Sequence, residues 1–129
     1  MRKSLLLSTV LTFLVACTSK TPEEQAMDTA LDCYKHLMAG DPETFLNGRA
    51  GMDSIPESYR EQLLVSYKQF AHQQRQAHQG IVSIETTRTT TGPKSQMMQV
   101  FLLINYADST KEEIVVPMVK DDDGRWLMK

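Results

Sequence analysis

Few side chains in this chain have the types and spacing that chemistry needs. The candidates are two thiols (Cys17 and Cys33), three imidazoles (His36, His72 and His78) and the acidic run Asp121-Asp122-Asp123. A structural zinc needs further thiols or imidazoles at ligand spacing, and neither HExxH nor CxxC occurs. His72 and His78 stand six residues apart, about 600° around a helix, so they share no face. Asp121 to Asp123 could attract calcium, but a calcium loop needs oxygen ligands further on, where Trp126 and Leu127 stand. A hairpin turn is the better reading there. Neither a glycine-rich phosphate loop nor a Gly-x-Ser-x-Gly elbow is present. The expectation is therefore no catalytic constellation, no metal and no cofactor, with the histidines solvated. Of the amphipathic aromatics, Tyr34, Tyr67, Tyr106 and Trp126 are the candidates that remain. Each can bury a ring and present a polar tip, lining a pocket for a small apolar or aromatic ligand or simply filling core.

The elements that position these residues come from a chain of 129 residues, 41% hydrophobic and 23% charged. That suits one globular domain and excludes collagen-like, low-complexity and wholly disordered chains. A net charge of −2 supplies no field to hold nucleic acid.

Arg2 and Lys3 precede the apolar run Leu5 to Ala16, which is shorter than the ~20 residues a membrane-crossing helix needs. A positive start, a short apolar centre and a small residue before a cut form a secretory signal. Where the run ends in Leu14-Val15-Ala16-Cys17, the sequence resembles the bacterial lipoproteins. The resemblance implies removal of residues 1–16 and lipidation of Cys17, with residues 17–21 as a tether and 22–129 as the domain. Two or more acyl chains anchor a protein stably to a membrane without a spanning helix. Thr18 in place of an aspartate implies the outer membrane of the cell envelope. With Cys17 acylated, Cys33 is the one thiol left, and it reads as a small hydrophobe inside a helix.

Thr21-Pro22-Glu23-Glu24 is a helix start: a cap, a proline at the first position and a glutamate to complete a capping box. Met27, Ala30, Leu31, Tyr34, Leu37 and Met38 recur at helical spacing until Gly40 stops them. Asp41-Pro42-Glu43 restarts a short helix that ends at Asn47-Gly48. After a loop from Arg49 to Ser54, a longer helix is expected, capped by Ser54 or Ser58. Its apolar stripe is Tyr59, Leu63, Tyr67, Phe70 and Ala77, widened by Leu64 and Ala71, and Gly80 closes it. From Ile81 the period changes to two. Strands are expected over 81–90, with Val82, Ile84 and Thr86 on one face, and over 96–107, 111–120 and 125–129. Short turns join them, the last at Asp121 to Gly124. Three helices followed by a four-strand meander is an α+β order, with the helices packed across an antiparallel sheet.

Tyr34 in its helix, the Ala39-Gly40-Asp41 junction and the terminal Asp122-Asp123-Gly124-Arg125-Trp126 together resemble the nuclear transport factor 2-like superfamily. Within it the chain is similar to small bacterial lipoproteins sometimes labelled lumazine-binding. The resemblance implies a cystatin-like cone, a curved sheet around a long helix with a pocket at its open end. The superfamily includes isomerases and dehydratases, whose chemistry would here fall to Tyr106 or His36. Phe101, Leu103, Val115 and Val119 make the other sheet face unusually apolar for a half-exposed sheet. That face, together with the sheet-to-sheet dimers of the superfamily, implies a homodimer. Three functions stay in view: a lipid-anchored, non-catalytic binding domain, a small enzyme, and an accessory subunit of an envelope complex.

Overall fold

The computed structural model describes residues 19–92, 94 and 96–129. The expected signal and Cys17 lie outside them. Among the described residues, helices α1 (Pro22–Met38), α2 (Pro42–Asn47) and α3 (Glu57–Ala77) precede strands β1 (Ile81–Thr91), β2 (Met97–Tyr106), β3 (Lys111–Lys120) and β4 (Trp126–Met128). The strands form one antiparallel sheet in the order β1-β2-β3-β4. This is the expected α+β fold: helices on one face of a curved four-stranded meander.

Local chemistry sets the helix starts. Glu24 N–H donates to the Thr21 hydroxyl at 3.2 Å, and Thr21 N–H donates to the Glu24 carboxylate at 3.3 Å. Such a box is worth about 1 kcal/mol. Asp41 caps α2, accepting from the Thr44 N–H at 3.2 Å and its hydroxyl at 2.6 Å. Gly40, at φ +89°, turns the chain between the two helices where an L side chain would be strained.

Two expectations about α3 fail. Neither Ser54 nor Ser58 caps it; the chain enters through Pro56 with no side-chain cap. Nor is its apolar stripe covered, because Tyr59 is 48% and Phe70 41% exposed and Ala77 faces solvent. Ala71 is the buried residue of this helix. The cause is layering. Helix α1 covers the sheet, and α3 rests mainly on α1 and α2, meeting them through Arg60, Tyr67, Ala71 and Arg75 while Tyr59 and Phe70 stay outside.

The core joins Ala26, Ala30, Cys33 and Leu37 of α1 to Val100, Leu102, Ile104 and Tyr106 of β2, with Val116 and Met118 from β3. Val82 does not join Ile84 there. An irregularity in register between Ile81 and Ser83 turns it outward. On the outer face, the Arg88 guanidinium lies 3.6 Å from the Phe101 ring centre and 3.9 Å from Glu113. Phe101 is thus buried within its own chain, whereas Val115 is exposed and Leu103 and Val119 are half-buried.

The turn after α2 finishes the sheet edge. Met128 N–H donates to the Gly48 carbonyl at 2.8 Å, and Ala50 N–H donates to the Met128 carbonyl at 2.7 Å. Residues 48–50 therefore run beside β4, with Arg49 bridged in parallel to Met128. A side chain at Gly48 would place its Cβ 2.5 Å from Cys33 Sγ, so glycine is what lets this turn press onto α1.

Candidate functional site

The turn at 48–50 brings five elements around one cavity of ≈ 250 Å³. Helix α1 supplies Tyr34, α2 supplies Phe45, the turn supplies Arg49 and α3 supplies Tyr67. The floor and rim come from Val116 and Pro117 of β3, Met128 of β4 and Lys129. The rings meet edge to face: Tyr34 and Phe45 at 5.1 Å and 87°, Phe45 and Tyr67 at 4.9 Å and 75°. That geometry places positive ring edges against negative ring faces and holds the wall rigid. Arg49 donates from Nη1 to the Tyr67 hydroxyl, and its guanidinium carbon lies 6.0 Å from that ring's centre. Burial pushes the Tyr34 phenol up from its ordinary value, with Arg49 pulling against it. Tyr34 therefore keeps its proton at neutral pH, near the fixed positive charge of Arg49.

The other two expected pocket residues lie elsewhere. Trp126 borders a wider groove of ≈ 580 Å³ beside the start of α1, with Cys33, Thr29 and Leu127. Its indole Nε1–H is buried and has no hydrogen-bond partner among the described residues. Cys33 behaves as the expected small hydrophobe: it is buried, and desolvation pushes its thiol up to about 11.

Tyr106 anchors a polar cluster where α3 runs into β1. Its hydroxyl donates to Glu112 at 2.7 Å and lies 3.1 Å from the Gln74 amide oxygen. Burial first, then the Glu112 carboxylate, push this phenol far up, so it keeps its proton. The His78 ring stacks on Tyr106 at 4.0 Å, and its Nδ1 lies 3.0 Å from Asp108 and 3.2 Å from the Thr110 hydroxyl. Hydrogen bonds from Thr110, then from His78, hold the Asp108 carboxyl below the usual range. His78 was expected to be solvated; instead it is half-buried and engaged. His36 sits at the α1–α2 junction with Nδ1 3.0 Å from Asp41, and His72 is exposed. Neither His36 nor Tyr106 lines the aromatic pocket. Among the described residues, no three His, Cys, Asp or Glu side chains converge to hold a metal ion.

Sequence reading missed Phe45, Arg49 and Lys129 as wall residues. One signal was available: Arg49 is a lone cation in a run of small residues, Gly48-Arg49-Ala50-Gly51, where the backbone can approach a neighbour closely.

No family model and no curated protein matches this chain. Among solved structures, the chain is similar to a Campylobacter jejuni protein provisionally named a nuclear transport factor 2-like transpeptidase. The TM-score is 0.62 at 15% identity, over 78% of this chain and 94% of that one. The architecture is accordingly the nuclear transport factor 2-like α+β fold.

Proposed function

We propose that this chain is a lipid-anchored, non-catalytic binding domain of the bacterial cell envelope that takes a small apolar or aromatic molecule into the Tyr34–Phe45–Tyr67 pocket. The make-up of that pocket carries the reading. Among the described residues, its wall holds rings, aliphatic side chains, Arg49 and Lys129, and no Asp, Glu or His side chain to serve as a general base. The anchor rests on the signal ending at Ala16-Cys17, and no described helix is long and apolar enough to cross a membrane. Outer-membrane placement, through the lipid on Cys17 and the neighbouring Thr18, belongs to the same proposal. So does a homodimer through the outer sheet face, which carries exposed Val115 and half-buried Leu103 and Val119.

One observation favours a second reading, an isomerase- or dehydratase-like enzyme: Tyr106 has an acid and an imidazole against it. It ranks lower because Tyr106 is 3% exposed and the cluster does not open into the aromatic pocket.

Native mass spectrometry of the protein purified from its own host tests the proposal. A lipid-modified mass starting at Cys17, a dimer and a retained small molecule are expected. An unmodified chain beginning at Met1, monomeric and free of any bound molecule, would overturn it.

A further inference from the structure

Resting on the binding reading above, we infer that the pocket selects an anion: a small monocarboxylate whose apolar or aromatic body lies against Phe45 and Tyr34 and whose carboxylate meets Arg49. The described arginines differ in what they hold. Arg60 faces Glu43 at 3.7 Å, Arg88 faces Glu113 at 3.9 Å, and Arg125 pairs with Asp121 at 3.2 Å. Arg75 donates to the Met38 carbonyl at 2.6 Å. Arg49 has neither a carboxylate nor a carbonyl against its guanidinium among the described residues; its partner is the Tyr67 hydroxyl.

A half-buried guanidinium without an anion has given up part of its hydration for one hydrogen bond, out of five N–H donors. Its planar fork matches a carboxylate with two parallel bonds. The Tyr67 hydroxyl accepts from Arg49, which frees its own proton to donate to the same anion. Among the described residues, no Asp or Glu side chain lines the cavity. A space of ≈ 250 Å³ equals roughly eight water volumes, enough for one ring and its carboxyl group.

Calorimetric titration of the protein with benzoate, benzamide and benzylamine at low ionic strength tests this. Benzoate is expected to bind about tenfold or more tightly than its neutral isostere benzamide, the scale of one charge-assisted contact. Benzylammonium is expected not to bind. Arg49→Gln should abolish that preference, and Arg49→Lys should keep part of it, since charge remains and the fork is lost. Equal affinity for benzoate and benzamide, or benzoate binding unchanged in Arg49→Gln, would overturn the anion inference while leaving the pocket reading standing. No benzoate binding at millimolar concentration would overturn the inference as well. If natively purified protein also retained no molecule, the binding reading would fall with it. Should Arg49→Gln not fold, the benzoate-to-benzamide ratio on the unaltered protein decides.

Discussion

Gly48→Ala should destabilise this protein, yet stabilise it once Cys33 is also alanine. At φ −83° an alanine suits the backbone of residue 48, and reduced freedom of the unfolded chain favours it by ~0.4–1 kcal/mol. Against that stands the new Cβ, 2.5 Å from Cys33 Sγ. Cys33 is 6% exposed, so its sulfur can give way only by leaving its packed position in the core for the groove beside Trp126. Overpacking of this kind costs ~1–3 kcal/mol. The balance is a loss of about 1–2 kcal/mol. Cys33→Ala alone should cost about 1 kcal/mol for the buried sulfur it deletes. In that background the nearest neighbours of a residue-48 Cβ are the Phe45 carbonyl at 3.4 Å and Met128 Cε at 3.5 Å, both ordinary contacts. The same substitution then gains ~0.4–1 kcal/mol. Urea unfolding of the parent, both single variants and the double variant closes the cycle. The expected coupling is about 1–3 kcal/mol with unchanged m-values. If Gly48→Ala shifts stability by the same amount and sign in both backgrounds, the close packing of α2's end on α1 is not what demands glycine.

Three further outcomes are expected. Because burial raises the Cys33 thiol from 9.0 to about 11, its contribution to stability is full below pH 9 and is lost as pH rises through 11. Unfolding scans should show this alkaline slope, and Cys33→Ala should abolish it. The carboxyls of Asp41, Asp108 and Asp121 are held below their ordinary value by Thr44, Thr110 and the Arg125 N–H respectively. Their contribution is present above the usual carboxylate range and falls away below about pH 4. Asp41→Asn, which retains a capping oxygen, should flatten that acid slope; an unaltered slope would show that Asp41 has no part in it. Trp126→Phe should change stability by less than about 1 kcal/mol, since relief of an unpaired buried N–H, worth ~1–3 kcal/mol, offsets the lost ring volume. A loss above about 3 kcal/mol in thermal unfolding would mean the indole nitrogen has a partner.

What the residues alone determined is local. Thr21-Pro22-Glu23-Glu24 and Asp41-Pro42 start helices because their side chains bond backbone groups within one turn, as the observed caps show. The strand pattern from Val100 to Tyr106 emerges intact because alternation along a strand is a property of the chain itself. The meander order followed because each turn joins neighbours in sequence. Tertiary structure decided whatever depends on what lies opposite. Periodicity located the apolar stripe of α3 but not whether anything would cover Tyr59 and Phe70, which depended on α1 lying between α3 and the sheet. Arg88 folding over Phe101 likewise altered an outer face that alternation alone had left bare. The candidate pocket shows the same division. Tyr34 and Tyr67 were legible as amphipathic rings, whereas Phe45 and Arg49 join them only because Gly48 brings the turn between Cys33 and Met128. Contacts between residues far apart in the chain leave no period in the sequence, so a close approach of backbones had to be seen in three dimensions.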